Sequence, residues 1–149
     1  MNWAEPNLAK VEIIARNLRR QDELEVFYSH GVTGVEAVME SWENSNICRC
    51  IDGDNGMPVG LCGVNDSLIW LLGTDDLLST SSHRRQFIKG GKRWVNELIN
   101  EGNTFLHNWA LASNSTTFRW LKHLGFTIDE PIPLGEDGKL FCHFWRKNK

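Results

Sequence analysis

The side chains best placed to move a proton lie where the sequence leaves its predicted strands. Asp75 and Asp76 follow an apolar, strand-like run, and Ser113 lies just before a predicted helix. A carboxylate in a cleft can accept the proton of a reacting amine, and a hydroxyl can take part in the same transfer. These residue types also form turns and helix caps, so the sequence leaves both roles open. No Gly-x-Ser-x-Gly segment or paired Cys/His signature indicates a covalent nucleophile.

A second group of side chains could bind an anion. A predicted long helix opens with a run of basic residues: His83, Arg84, Arg85, Lys89, Lys92 and Arg93. Positive charge is unfavourable at the start of a helix, and like charges one turn apart repel each other. Bound phosphate groups would offset this conflict, although a solvated basic face is the alternative. Nucleic acid is an unlikely partner, because no aromatic platform or nucleic-acid motif accompanies the charge.

The cysteines allow a metal site but do not favour one. A zinc site could combine Cys48 and Cys50 with Cys62 and with Cys142 or His143. The Cys-x-x-Cys knuckle that usually holds such a site is missing. We therefore expect no metal, and reduced, partly buried thiols instead.

The bulk composition predicts one globular domain spanning residues 1–149. The chain is 41% apolar and carries a net charge of −3, which gives no global attraction to nucleic acid or anionic membrane. No apolar run approaches the length of a membrane span, and no secretory signal opens the sequence. A cytosolic protein is the expectation. Most of the seven tryptophans are expected to fill the core.

Helical and extended periodicities follow one another in an order that predicts an α+β fold. Predicted helices begin near Asn7, after the charged stretch 19–23, at Thr33, at Ser82 and after Asn114, and predicted strands cover residues 1–5, 47–51, 58–64, 67–72, 104–111, 126–132 and 140–145. The Asn55-Gly56 turn indicates a hairpin. The strand-helix-strand run over 70–111 favours one parallel pair. The sheet should therefore be mixed and mostly antiparallel, with a central parallel strand pair and flanking helices.

The segment from Asn114 to Phe126 carries the most specific pattern. An Asn begins an amphipathic helix and Gly125-Phe126 ends it, eleven residues later. This spacing resembles the strand-to-helix segment that closes the acyl-CoA site of GNAT-type N-acetyltransferases. In that family's pattern an Ala follows the Asn by three residues and a Tyr lies further along, whereas this chain has Thr117 and Leu121 there. The order of predicted elements matches the GNAT fold over nearly the whole chain.

The resemblance implies a set of residues around an acetyl-CoA cofactor. It places Leu72 and Gly73 at the end of the central strand, and Asn114 and Phe118 at the closing helix, beside the cofactor.

The resemblance also implies a diphosphate motif in the predicted long helix. The family motif is Gln or Arg, two residues, Gly, one residue, then Gly or Ala, and residues 86–91 match it in part. Gln86 and Gly91 fit the pattern, whereas Lys89 replaces the first glycine; shifting the match by one residue brings in Arg85. Arg84 precedes the motif and adds to the positive charge. Alternatively, the loop over residues 74–82 binds the phosphates, and the glycines only allow close packing.

The resemblance implies direct acyl transfer to an amine, but one of the family's usual catalytic residues is missing. Leu121 replaces the tyrosine that often serves as the acid, and the chain's only tyrosine, Tyr28, lies far away in sequence. Asp75, Asp76 and Ser113 then remain the candidate catalytic residues.

A narrower resemblance points to bacteriophages. The runs 11–22, 70–75, 92–95 and 140–145 and the core of the 114–126 helix are similar to the GNAT-like internal virion protein A family of short-tailed phages. This implies action in the host bacterial cytoplasm or in the virion. Two functions follow as expectations. One is an acyl-CoA-dependent N-acetyltransferase with a degenerate site, whose partners are acyl-CoA and an amine. The other is a non-catalytic scaffold for phage assembly, or for binding and inhibiting a host protein.

Overall fold

A computed structural model describes residues 1–148, over which five helices flank one eight-stranded sheet. The strands are β1 Asn2–Ala4, β2 Ile47–Asp52, β3 Pro58–Asn65, β4 Leu68–Gly73, β5 Phe105–Leu111, β6 Thr127–Ile128, β7 Ile132–Leu134 and β8 Lys139–Lys147. The helices are α1 Leu8–Arg16, α2 Arg20–His30, α3 Gly34–Asn44, α4 Ser81–Asn100 and α5 Ser115–His123.

The sheet confirms the predicted mixed topology. Its strand order is β1-β2-β3-β4-β5-β8-β6. Strand β7 pairs with the first residues of β8, on the edge of β8 that faces away from β5. Every neighbouring pair is antiparallel except β4 and β5, which are parallel. The parallel pair lies at the centre because α4 is the crossover that returns the chain to the same side of the sheet.

Two hydrophobic cores lie on opposite faces of this sheet. Helices α1 and α3 cover one face, where Val11, Ile14 and Val38 are fully buried against the strands. Helices α4 and α5 cover the other face, with Val95 and Leu98 in its core. The strands serve both faces because successive side chains point in opposite directions.

Local signals in the sequence set the helix ends. The Asn7 side chain accepts a hydrogen bond from the backbone N–H of Lys10 at 3.0 Å, which caps α1. Thr33 and Glu36 form the predicted capping box at the start of α3. Gly31 ends α2 with a φ of 69°, in the left-handed region that favours glycine.

The C-terminal third departs from the predicted boundaries. The extended stretch predicted over 126–132 is divided into the two-residue β6 and the start of β7. The turn predicted from Pro133 is confined to residues 135–138, because Pro133 and Leu134 pair with β8. Proline is tolerated there since β7 is an edge strand. Of the seven tryptophans, Trp94 is buried and the other six are half-buried.

Gly90 lets β1 pack under α4. The Trp3 ring stacks on Phe87 with ring centroids 6.1 Å apart and also contacts Trp94. A Cβ atom at Gly90 would lie 2.4 Å from Nε1 of Trp3. No real Cβ fits at that distance, so the ring could not keep its place beside a larger residue.

We predict that Gly90→Ala destabilises the protein by about 1–3 kcal/mol, because overpacking outweighs the gain in helix propensity. Thermal or urea unfolding measures the change. Asn96→Ala, at an exposed position of the same helix, is the control and should be neutral or slightly stabilising. A Gly90→Ala variant more stable than wild type would contradict the packing described here.

Candidate active site

The two parallel strands at the centre of the sheet pair at only one register position. Leu68 lies opposite His107, and the backbone N–H of His107 donates to Ser67 O at 3.0 Å. Next along the strands, the Asn108 side chain donates to Ile69 O at 2.8 Å. Beyond this point β4 and β5 separate toward their C-terminal ends and form a fork. In the fork, backbone N–H and C=O groups that a continuous ladder would have paired have no partner on the neighbouring strand.

Helix α2 lies across the open end of the fork and binds one backbone N–H group at the end of each strand. Oδ2 of Asp22 accepts a hydrogen bond from Gly73 N at 2.8 Å, at the end of β4. Oε1 of Glu25 accepts one from Leu111 N at 3.1 Å, at the end of β5. The other oxygen, Oε2, accepts from Nδ2 of Asn114 at 2.8 Å. Residues three apart lie on one face of a helix, so one turn of α2 joins both strand ends.

Asp22 is held firmly in place. Nε and Nη2 of Arg19 each donate to a different carboxylate oxygen at 3.0 Å. The backbone N–H of Arg19 also donates to Gly73 O at 2.8 Å. The Asp22 side chain is only 4% exposed. Burial raises the pKa of its carboxyl, while Arg19 and the Gly73 N–H oppose that shift.

Glu25 is the carboxyl group in the fork whose pKa lies near neutral pH. Burial, and then the negative charge of Asp22, raise the pKa of Glu25 from 4.5 to about 7. The hydrogen bonds from Leu111 and Asn114 act in the opposite direction but are outweighed. A carboxyl of this kind can accept and release a proton at physiological pH.

A cavity of about 790 Å³ passes through the fork. On the side of α2 and α3 its wall includes Glu25, Trp70 and Trp109. On the side of α4 and α5 its wall includes Arg84 and Thr117. Since these helices lie on opposite faces of the sheet, the cavity connects the two faces between β4 and β5.

The two mouths of the cavity differ in charge. Near α2 and α3 the charge of Asp22 is balanced by Arg19, which leaves Glu25 and Glu40 as acidic side chains in the wall. Near α4 and α5 the charged side chains in the wall are Arg84 and Arg119. An amine suits the first mouth and a phosphate-bearing molecule suits the second.

Some of the residues implied by the family resemblance lie at this cavity. Leu72 and Arg84 line it, and Gly73 lies beside Leu72 with its backbone groups bound to Asp22 and Arg19. Asn114 precedes α5, but its side chain makes no capping bond and binds Glu25 instead. Phe118 is half-buried and packs against the core under α5.

The residues of the partial diphosphate motif lie elsewhere on α4. Arg85 and Lys89 are exposed and are not part of the cavity wall. Nε2 of Gln86 donates to Asp54 at 2.8 Å, on the side of the β2–β3 hairpin. Gly91 is buried in the middle of the helix, where a Cβ atom would lie 3.1 Å from the Trp120 ring. The motif therefore lies inside the helix rather than at its start, and its glycines allow close packing.

The predicted catalytic residues also lie outside the cavity wall. Asp75 and Asp76 are exposed in the loop between β4 and α4. The Asp76 carboxylate accepts a hydrogen bond from Ser79, and its carbonyl contacts Nδ1 of His83 at 2.6 Å, as in a turn. Ser113 is exposed just before α5. The structure thus brings none of the three to the fork.

Glu25 was missed by the sequence analysis. Its spacing of three residues from Asp22 was visible, but Glu25 lies in the helical segment after the charged stretch 19–23, and no local motif singles it out. Only the packing of α2 against the strand ends distinguishes these two carboxylates from surface ones.

Within residues 1–148 no group of three or more His, Cys, Asp or Glu side chains could hold a metal ion. His107 is half-buried, and its Nδ1 lies 2.8 Å from Nε2 of His143. No helix in this part of the chain is long and apolar enough to cross a membrane.

The fold is that of solved GNAT-type N-acetyltransferases. Among solved structures, the chain is similar to spermidine N-acetyltransferase from Vibrio cholerae in complex with CoA and spermine, with a TM-score of 0.69, 9% identity, and coverage of 99% of this chain and 95% of that one. It is also similar to the ribosomal-protein-S18-alanine N-acetyltransferase of Escherichia coli, with a TM-score of 0.62, 15% identity, and coverage of 97% and 90%. A third is RimL, the ribosomal L7/L12 α-N-protein acetyltransferase in complex with coenzyme A, with a TM-score of 0.67, 9% identity, and coverage of 98% and 93%.

These likenesses show the fold. No protein-family model matches the sequence, and no curated protein matches it.

We predict that Glu25 makes stability depend on pH. Its pKa is higher in the folded chain than the ordinary value of 4.5, so the folded state binds the extra proton between about pH 4.5 and pH 7. The free energy of unfolding should therefore fall as pH rises through this window, by on the order of 3 kcal/mol.

Glu25→Gln should remove the share of this dependence that Glu25 contributes and leave that of Asp22, whose pKa is also raised; denaturant unfolding at several pH values measures the change. Glu23→Gln, on the same helix but outside the cavity wall, should keep the wild-type dependence. Parallel stability curves for wild type and Glu25→Gln across this window would show that Glu25 titrates normally.

Proposed function

We propose that this protein is an acyl-CoA-dependent N-acyltransferase in which Glu25 accepts the proton of the acceptor amine. The observation that carries the proposal is the fork between β4 and β5, crossed by a cavity with Glu25 on one side and Arg84 on the other. Acetyl-CoA is the donor expected from the fold, and the RimL and spermidine N-acetyltransferase structures contain coenzyme A.

The residues present fit the phosphates of coenzyme A. Helix α4 begins at Ser81, and its N-terminus follows the loop from β4. The first N–H groups of a helix lack intrahelical partners and attract phosphate. Arg84 lies in that first turn and adds a positive charge at the cavity wall. The start of α4 and its preceding loop, rather than residues 86–91, would therefore hold the diphosphate.

The fork fits the narrow arm that carries the acyl group. Leu72 and Gly73 form one lip, and Asn114 and Phe118 lie at the other, where α5 begins. Strand edges with free backbone groups bind extended amide-containing chains by adding a strand. Bound acyl-CoA supplies an activated acyl group as a thioester.

Glu25 faces the fork from the mouth that suits an amine. The amine exchanges an N–H bond for a bond to the acyl carbon, and its proton passes to the Glu25 carboxylate. The Glu25 carboxyl must be ionised to accept it, so the reaction should speed up as pH rises through about 7. Leu121 is buried in the cavity wall and has no proton to give, so the leaving thiolate would be protonated by water. Holding both reactants in the fork supplies much of the acceleration.

A non-catalytic protein on the same fold is the second candidate. Leu121 in the position of the usual acid favours it, as does the sequence resemblance to the GNAT-like internal virion protein A family of short-tailed phages. In that case the partners would be phage or host proteins, in the host cytoplasm or the virion. A chain that binds no acyl-CoA at millimolar concentration, judged by thermal stabilisation, would support this candidate.

We predict that Glu25→Gln lowers kcat by about 10²–10⁴-fold, because a positioned base contributes that much. Acyl transfer to a panel of amines, followed by thiol release, measures it. Acetyl-CoA binding should persist, which separates a lost base from a lost fold. Glu23→Gln is the matched control and should retain wild-type kcat and pH profile. Full activity of Glu25→Gln would exclude Glu25 as the base.

We predict that Arg84→Gln weakens acetyl-CoA binding by roughly tenfold, as expected for the loss of a charge-assisted contact to phosphate. The loss should shrink at high salt, since salt screens the wild-type attraction. Arg93→Gln, on the exposed side of α4, should leave Kd unchanged. Calorimetric titration gives both constants. Equal weakening by the two substitutions would mean that only the general charge of the helix matters.

A further inference from the structure

The cavity does not end at the fork. On the side of α4 and α5 it continues to a set of core side chains, which we call the apolar lobe: Trp94, Val95, Ala110, Leu124, Phe126 and Phe144. Each of these is less than 8% exposed. They come from α4, from β5 and β8, and from the segment at the end of α5. The lobe is therefore an inward extension of the cavity into the larger hydrophobic core.

The lobe lies well beyond the proposed phosphate site. Arg84 is in the first turn of α4, and Trp94 is ten residues further along it, which is about 15 Å at the helical rise. Arg84, Leu121 at the fork and Trp94 all line the same cavity. A molecule whose phosphates lie at Arg84 and whose arm passes the fork could thus place the end of its acyl group in the lobe.

The chemistry of the lobe suits hydrocarbon. The six side chains that define it carry no charge, and the charged wall residues belong to α2 and the residue before it, to α3, to the first turn of α4 and to the exposed side of α5. A polar or charged acyl group would lose its hydration there without compensation. An aliphatic chain gains from leaving water.

The lobe and Glu25 lie on opposite faces of the sheet. Glu25 belongs to α2, whereas Trp94 and Val95 belong to α4. An amine can therefore approach from one face while the rest of the acyl group extends from the other. Two tryptophan rings at this end of the cavity, Trp94 and Trp120, have no hydrogen-bond partner for Nε1 among the described residues. Both rings pack against neighbouring aromatic side chains.

We propose that the donor of this site carries an aliphatic acyl chain longer than acetyl, which occupies the apolar lobe. This inference rests on the proposed function and names the class of its acyl donor.

The test is the affinity for acetyl-, butanoyl-, hexanoyl- and octanoyl-CoA, measured by calorimetry with the intact chain. Each methylene group that enters the lobe should lower Kd by about three- to fourfold, which makes butanoyl-CoA bind about tenfold tighter than acetyl-CoA. Activity with each donor, measured as thiol release in the presence of an amine, should follow the same order.

Val95→Phe fills the lobe and should abolish this gain with chain length. Val95→Leu, a smaller change, serves if the first variant does not fold. Val35→Phe, at an exposed position of α3, is the matched control and should keep the wild-type gain.

The outcomes distinguish a failure of the apolar-lobe proposal from a failure of the proposed acyltransferase function. Binding of acetyl-CoA with no gain for butanoyl-CoA, or a gain that both Val95 variants retain, overturns the lobe and leaves the proposed function standing. Failure of every acyl-CoA to bind overturns both.

Discussion

The carboxylates of Asp22 and Glu25 make it possible for the central strands to separate. A split between two buried strands would leave backbone N–H groups without partners, at a cost of about 1–3 kcal/mol each. Here Asp22 accepts from Gly73 and Glu25 accepts from Leu111. One turn of α2 thus supplies hydrogen-bond acceptors at the two strand ends, where the β4–β5 pairing has stopped. The fork, the cavity through it and the position of the proposed base all depend on this arrangement.

The same two hydrogen bonds explain why Glu25 is chemically distinct from its neighbour. Asp22 has a cation beside it, since Arg19 makes two bonds to its carboxylate. Glu25 receives its hydrogen bonds from neutral groups only, namely Leu111 and Asn114. Burial and the charge of Asp22 therefore dominate and raise the pKa of Glu25 to about 7. Two carboxylates three residues apart are in this way suited to different roles, one structural and one chemical.

The cavity joins three environments within a small protein. Its α2–α3 mouth is acidic, its α4–α5 mouth is basic, and its inner end is apolar. This order matches a reaction in which an amine, a phosphate-bearing carrier and an aliphatic chain meet at one point. Beside this cavity, the glycines at positions 90 and 91 let α4 pack closely against the Trp3 and Trp120 rings.

Local chemistry in the sequence determined the elements and their order, because caps, turns and periodicity act over a few residues. Helices begin after Asn7 and Thr33 as predicted, the Asn7 cap, the Thr33–Glu36 capping box and the Gly31 stop set their ends, and the predicted α+β sheet with its parallel pair is present. Tertiary structure alone decided the site. Glu25 became part of the fork only because α2 packs across the strand ends, where Asp22 and Glu25 bind residues 51 and 86 positions further along the chain. Burial and long-range contacts of this kind leave no local pattern, so Asp75, Asp76 and residues 86–91 were the more visible candidates, and the contacts around the cavity point to others.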